Sequence, residues 1–322
     1  MREVRPPTPA QMEAAAAAVA RHVGRAPVLA SPRLLPAGGG GRGLLKVESL
    51  NRAGSFKLRG AVAALAALPR GRRVVACSAG NHGLALAVAA AELGARATVV
   101  VSARTDPAKV AGIRRTGCDL ALVGETYDEA ERHAIELARD LGAAFVSPYN
   151  DPLVIAGQAT VGRELAEELG QDLTIVVPVG GGGLAAGVAL AAGTAVTVGV
   201  EAWRSPAMSA ALRAGRVVTI SPGPTLADAL AGNLEPGTVT LPLVRDHVAE
   251  VLTVTEAEIA AAMRFLHAEH GLVAEGGGAV AVAAVLAGRV PVRTAACVAV
   301  VTGRNIDPGR YTAVIGADPA PT

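Results

Sequence analysis

The sequence predicts an α/β fold built on parallel sheet, and three observations carry that expectation. Short β-rich runs alternate with longer Ala/Leu-rich stretches from about Leu44 to Gly303. The short runs are continuously apolar rather than alternating, as in strands buried on both faces of a parallel sheet. Hydrophobic residues make up 51% of the 322 residues and charged residues 18%, which suits a sizeable core and argues against disorder. The length is a prior for about two domains.

In chain order, LLKVE is followed by FKLRGAVAALAAL, RVVACS by NHGLALAVAAAEL, ATVVVS by PAKVAGIRRT, and DLALVG by YDEAERHAIELARDL. Beyond AFVSP come GQATVGRELAEEL, TIVVPV, LAAGVALAA, AVTVGV and PAMSAALRA; AEVLTV, TEAEIAAAMRFLHAEH, AVAVAAVLA and CVAVVTG close the series. Strand–helix–strand succession at this spacing implies right-handed crossovers. Soft boundaries are expected at SPYNDP (147–152) and SPGPT (221–225), where turn-forming residues cluster.

Composition also excludes. A net charge of +2 with aromatics at 2% gives neither the electrostatic footprint nor the stacking platform of a nucleic-acid binder. The three cysteines, Cys77, Cys118 and Cys297, are widely spaced and form no disulfide framework, so a reducing, cytoplasmic setting is expected. In MREVRPPTPA the prolines stand where a signal peptide needs an apolar region, and AAAAAVA reads as a helix face. The uncharged span Leu173 to Val200 contains Pro178 and seven glycines, which a lipid-facing helix does not tolerate.

Ligands of open parallel sheets bind beyond the carboxyl ends of the strands. RVVAC runs into SAGNHG, TIVVPV into GGGGLAAG, and CVAVV into TGRN, so three polar or glycine-rich turns are candidates to share a ligand. Gly180, Gly181, Gly182 and Gly183 lie between a strand and a helix expected to begin near Leu184. That arrangement offers backbone N–H groups and a positive helix end to an anion. Gly38 to Gly41 is also a tetraglycine, but GLLKVE follows it, and it reads as a flexible turn. The anion has a rival identity. Gly181-x-Gly183-x-x-Ala186 fits a relaxed dinucleotide fingerprint, with Glu201 about twenty residues on; against it, the first βα unit usually carries that motif.

Of 30 basic residues only Lys46, Lys57 and Lys109 are lysine, which directs attention to the amines, since guanidinium is not deprotonated. Lys57 lies in ESLNRAGSFKLRGA, where Gly54 and Ser55 read as turn and helix cap and put the amine in a first helical turn. Positive potential and burial there favour a neutral amine, suited to a Schiff base with pyridoxal phosphate near a phosphate cradle; the bland alternative is a surface lysine. Ser78, Ala79, Asn81 and His82 in SAGNHG offer a hydroxyl, an amide, an imidazole and freed backbone, fit for a carboxylate or phenolic oxygen. Thr302 in VVTGRN brings a neutral hydroxyl to a strand end. His267 and His270 precede Gly271 and read as helix-end cations rather than metal ligands. Glu275 precedes three glycines and either reaches the crevice or serves the helix dipole. Neither GxSxG nor HExxH occurs.

Together ESLNRAGSFKLRGA, SAGNHG, PVGGGGLAAG and VVTGRN, with VIAGQAT and AEGGGAVAVAAVL, resemble the fold-type II pyridoxal-phosphate enzymes. Within that group they are most similar to the threonine/serine dehydratase and serine racemase branch, over about residues 25 to 307. The resemblance implies a tryptophan synthase β-like architecture of two open, twisted, mostly parallel sheets with flanking helices. A large domain (1–67 and 147–322) would be interrupted by a small one (68–146), with the active site in the cleft. It implies that Lys57 holds the cofactor and abstracts the α-proton, Phe56 packs by its ring, and Asn81 bonds its phenolic oxygen. Gly180 to Gly183 and Leu184 would bind the phosphate, and Thr302 would face the ring nitrogen. Ser55, Ser78, Ala79, Asn81 and His82 would receive the substrate. The implied reaction is β-elimination from L-threonine, L-serine or a related β-hydroxy amino acid, giving a 2-keto acid and ammonia. A homodimer is the family habit.

Departures narrow the expectation. Ala79 stands where eukaryotic serine racemases place the serine that works opposite the lysine, so dehydration is expected over racemisation. Leu58 replaces the aspartate usual in cysteine-synthase-like relatives. EAWRSPAM keeps Glu201 without a second carboxylate nearby, so no divalent cation is expected. Few residues follow Asp307, so isoleucine control through a regulatory domain is not expected. A dehydratase of the hydroxyectoine-utilisation type, an amino-acid racemase, an NAD-linked oxidoreductase and a fold relative without turnover remain as alternatives, with Tyr149 and Trp203 as pocket walls to examine.

Overall fold

The computed structural model describes residues 4–35 and 41–317. Gly38 to Gly40, most of the tetraglycine read above as a turn, lie outside them. Strands β1 (Val28–Ala30), β2 (Arg42–Val47), β3 (Arg73–Cys77), β4 (Arg96–Val101), β5 (Asp119–Leu122), β6 (Ala144–Phe145), β7 (Leu173–Pro178), β8 (Val196–Ala202), β9 (Glu250–Val254) and β10 (Ala296–Val301) alternate with helices. Every β-rich run of the sequence reading is a strand. The reading missed β1, whose three residues pair antiparallel with β2 and are too short to announce themselves by periodicity.

The chain forms two compact units, one of Arg25–Leu50 and the chain from Ala159 onward with residues 4–6, the other of Pro7–Gly24 and Asn51–Gln158. The segments 51–67 and 147–158 therefore group with the smaller body, whereas the sequence put its limits at 68 and 146. The helix Lys57–Ala66 explains this, because Leu58, Ala61, Val62 and Leu65 pack with Val74, Leu86 and Ala89 in one core.

In the first unit the strand order is β1-β2-β10-β7-β8-β9, parallel from β2 to β9. The helix Gly276–Leu286 is buried over almost its whole length against this sheet, its valines and alanines packing with Val176, Val198 and Val301. A helix apolar all round is expected only where every face meets protein. Lys46 on β2 is wholly buried, its ammonium donating to Glu164 Oε2 at 2.7 Å and to the Ala26 carbonyl at 2.8 Å.

In the second unit the order is β5-β4-β3-β6, all parallel. Val74 and Ala76 face the core that holds the Lys57 helix, while Val75 and Cys77 face the helix Tyr127–Asp140, the period-2 alternation of a strand covered on both sides.

Among the described residues no helix is long and apolar enough to cross a membrane.

Candidate active site

In the second unit, Val75 of β3 pairs with Phe145 of β6, so the turn after β3, starting at Ser78, lies level with Pro148. Parallel strands deliver both turns to one edge of the sheet. The helix Lys57–Ala66 begins at the lysine itself, with Phe56 at the N-cap position already in helical conformation. Its amine donates to the Pro148 carbonyl at 2.7 Å and lies 4.9 Å from the centre of the Phe56 ring. Burial lowers its pKa from 10.5 to about 8, so about a tenth of the amine is unprotonated at pH 7, far more than for an ordinary lysine. That is the state a carbonyl-attacking lysine requires.

Ser55 is not the helix cap that the sequence suggested. Its hydroxyl is buried without a partner, and the turn is instead shaped by Asn51, whose side chain donates to the Ser55 carbonyl at 2.5 Å and accepts from Ala53 N–H at 3.0 Å. A buried hydroxyl without a partner, two residues from the low-pKa amine, is a polar atom that a bound ligand could satisfy.

The turn Ser78–Ala79–Gly80 leads into the helix Asn81–Leu93. Ser78, Ala79 and Asn81 are half-buried, while His82 is buried. His82 Nε2 lies 2.9 Å from the Val146 carbonyl. A carbonyl only accepts, so the ring carries its proton on Nε2. Burial, then the charge of Lys57, push the imidazole pKa down to about 3 against the opposing Val146 hydrogen bond. Nδ1 therefore bears a lone pair, and it is buried without a partner. A neutral ring with its single proton committed to Val146 leaves its imidazole no proton for a second acceptor. His82 anchors the loop through Val146.

In the first unit, Val301 pairs with Val47 and Ala299 with Val176, so Thr302, Glu48 and Val179 leave the sheet at one level. Gly180 follows directly. Gly182 is the N-cap of the helix Gly183–Ala191 with φ +85°, a left-handed conformation that L side chains avoid. A Cβ on Gly180 would stand 3.1 Å from the Leu230 backbone. Gly180 and Gly181 are half-buried, and Leu184 is buried in the first turn of the helix, so the bend presents free N–H groups and a positive helix end to an anion. Thr302 is buried, its hydroxyl donating to the Gly277 carbonyl at 3.4 Å. That is a long bond which a rotation of the hydroxyl exchanges for another partner.

Other candidates take structural roles. The Glu201 carboxylate accepts from Met208 N–H at 2.7 Å, Ser209 N–H at 2.9 Å and Ser209 Oγ at 2.6 Å. It is occupied in starting the helix Ala207–Ala214, so the dinucleotide alternative lacks its ribose acceptor. His267 meets the Tyr311 hydroxyl at 3.2 Å and His270 the Ser31 hydroxyl at 2.9 Å. Trp203 is 59% exposed. Glu275 is buried at the N-cap of the helix Gly276–Leu286 without capping it by a side-chain bond. Among the described residues no group of three His, Cys, Asp or Glu side chains is arranged to hold a metal ion.

The reading of residues missed the Val146–Pro148 segment, treated above as a domain boundary. Its carbonyls accept from both Lys57 and His82, and only the strand pairing of β3 with β6 reveals that. Each unit by itself carries groups that suit the cofactor implied by the resemblance: the second a low-pKa amine with two buried polar atoms lacking partners, Ser55 Oγ and His82 Nδ1, and the first a glycine bend at a helix start and a neutral strand-end hydroxyl.

Comparison with known proteins agrees with this chemistry. The family model described as pyridoxal-phosphate dependent enzyme matches residues 19–303. An L-threonine ammonia-lyase of Thermotoga maritima is 43% identical over 275 residues, covering 83% of this chain and 68% of the relative. Among solved structures, a threonine deaminase from T.th. superposes with a TM-score of 0.84 at 37% identity, covering 94% of this chain and 99% of that one. Maize serine racemase superposes with a TM-score of 0.88 at 29% identity, covering 97% and 98%.

Proposed function

This chain belongs to the pyridoxal-phosphate-dependent enzyme family, and we propose that within it the protein is an ammonia-lyase converting L-threonine and L-serine to the corresponding 2-keto acid and ammonia. The observation that carries the reading is the Lys57 amine. It is desolvated to a pKa of about 8 and held by the Pro148 carbonyl beside the Ser78–His82 turn. Relatives that bear the threonine ammonia-lyase name support the substrate class.

Bound pyridoxal phosphate supplies a conjugated electron sink that makes the substrate α-proton removable. The protein supplies the rest. Lys57 would carry the cofactor and supply the amine that takes the substrate α-proton. The bend Gly180, Gly181, Gly182 and Gly183 with Leu184 would hold the phosphate through N–H groups, and Phe56 would pack by the ring. Asn81 would hold the phenolic oxygen. Thr302 would offer the ring nitrogen a neutral hydroxyl. Ser55, Ser78, the Ala79 backbone and Asn81 receive the substrate, while His82 fixes their loop by its bond to Val146. Ala79 has no proton to deliver to the opposite face, so elimination outruns racemisation. The same reading takes the enzyme as a cytoplasmic homodimer, a state that light scattering of the holoenzyme tests.

Incubating the holoenzyme with a panel of β-hydroxy amino acids and measuring keto acid, ammonia and D-amino acid tests the reading. Equimolar keto acid and ammonia from L-threonine and L-serine, with little D-serine, is the expected result. D-serine formed faster than pyruvate, or turnover confined to another β-hydroxy amino acid, overturns it.

A further inference from the structure

The turn before Lys57 is built around one residue. The Asn51 carbonyl accepts from Gly54 N–H at 2.9 Å, its Oδ1 accepts from Ala53 N–H at 3.0 Å, and its Nδ2 donates to the Ser55 carbonyl at 2.5 Å. Gly54 closes the turn with φ +72°, a conformation open to glycine. An N–H on one side and a carbonyl on the other fix which way round the amide lies. A serine hydroxyl can take the Ala53 bond but has no second polar atom for the Ser55 carbonyl. Aspartate has the second atom but no proton to give it.

The Ser55 carbonyl also accepts from Leu58 N–H at 3.3 Å, where the helix Lys57–Ala66 starts. Lys57 lies inside the ring which that long bond closes, and its amine reaches the Pro148 carbonyl at 2.7 Å. The helix start has no side-chain cap, and the Ser55 hydroxyl is without a partner. The Asn51 amide takes the place of a cap, acting on a carbonyl where the usual cap acts on an N–H. Further along, the helix has no room to shift. A Cβ on Gly60 would stand 2.8 Å from Val154 Cγ1, and one on Gly157 would stand 2.4 Å from the Arg59 carbonyl, so it lies backbone to backbone against the helix Pro152–Leu169. The first turn, where Lys57 stands, is the part left for Asn51 to set. All these residues up to Gln158 belong to the second unit.

Building on the lyase reading, we propose that Asn51 is a positioning residue for the Lys57 amine: by holding the Ser55 carbonyl it fixes where the helix begins and so where the amine stands against the Pro148 carbonyl. The reactive lysine then owes its placement to a side chain six residues before it that need not touch substrate.

The test follows pyridoxal phosphate uptake by apoenzyme against pH, with kcat and KM for L-threonine, in the wild type, Asn51→Ser and Arg52→Gln. Arg52 stands in the same turn, but its side chain pairs with Glu92 in an exposed ion pair, which contributes little. In Asn51→Ser the midpoint of uptake should rise by about one pH unit as the amine gains water. Its kcat should fall about tenfold or more with KM within about threefold. Loss of stability alone lowers the melting temperature and leaves the midpoint and the kcat per loaded site in place. Arg52→Gln should leave both as in the wild type. An Asn51→Ser enzyme with the wild-type midpoint and kcat, or an equal change in Arg52→Gln, overturns the assignment. Should Asn51→Ser not fold, Asn51→Asp has the size of the asparagine and keeps the Ala53 bond while turning an oxygen towards the Ser55 carbonyl. Its kcat should fall at least as far, and a wild-type kcat there overturns the proposal. A wild-type enzyme that releases no keto acid from threonine or serine overturns the lyase reading instead, and the uptake profile then still decides the role of Asn51.

Discussion

Lys57 and His82 donate to carbonyls two residues apart on one short segment, Lys57 to Pro148 at 2.7 Å and His82 to Val146 at 2.9 Å. The segment thereby fixes the Lys57 amine and the Ser78–His82 turn with respect to each other. The two groups also share their electrostatics, since the charge of Lys57 contributes to holding the imidazole neutral.

Acid sensitivity follows from the imidazole. Its pKa in the folded protein is about 3, against 6.5 for the ordinary group. Above pH 6.5 both folded and unfolded chains leave it neutral. As pH falls from 6.5 towards 3 only the unfolded chain takes the proton, so this site removes about 1.4 kcal/mol of stability per pH unit. Urea unfolding across that window should show the slope in the wild type. His82→Gln, which retains a donor for Val146, should lack one proton's worth of it. Equal slopes contradict the assignment.

The lowered pKa of Lys57 sets the pH dependence of cofactor loading. Only the neutral amine attacks an aldehyde. The rate at which apoenzyme takes up pyridoxal phosphate, followed by absorbance, should therefore rise with pH and level off above about 8. A rate still climbing towards 10.5, the ordinary lysine value, would mean that the amine is as hydrated as a surface lysine.

Gly182 combines φ +85° with crowding, since a Cβ would stand 2.5 Å from Met208 Cε and 3.2 Å from Thr240 Cβ. The methionine tip can move, but the backbone strain remains. Gly182→Ala should cost about 1–3 kcal/mol of stability and weaken pyridoxal phosphate binding by about tenfold, because the N–H groups of the bend lose their common aim. Equilibrium titration of apoenzyme with the cofactor measures the second effect.

The Lys46–Glu164 pair is a test away from the chemistry. Lys46 is wholly buried and its carboxylate partner nearly so. Glu164→Gln leaves an uncompensated ammonium in the core and should cost about 3–5 kcal/mol, whereas the double change Lys46→Met, Glu164→Leu should recover most of it. Thermal unfolding of the two variants decides.

The fold was legible because its strands are buried on both faces, and uninterrupted runs such as RVVAC and TIVVP stand out from the helices between them. The placement of the candidate site residues was legible where residue type is tied to backbone position: the tetraglycine before a helix, the lysine after Ser-Phe, and the polar turns at strand ends. What stayed hidden depends on who meets whom. No local signal says that Pro148 and Val146 accept from Lys57 and His82, or that Glu201 serves the helix that holds Met208 and Ser209. The Ser55 cap failed for a related reason. Asn51 already shapes that turn, which leaves the serine hydroxyl without a partner. Strand β1 was missed because three residues carry no period.

The most direct test of the central claim is borohydride reduction of the yellow holoenzyme followed by peptide mass mapping. One pyridoxyl phosphate mass should appear on the peptide holding Lys57 and on no peptide holding Lys46 or Lys109, and Lys57→Ala should abolish both the label and keto-acid release, the latter by about a thousandfold or more. Label on another lysine, or unimpaired turnover in Lys57→Ala, would contradict the account.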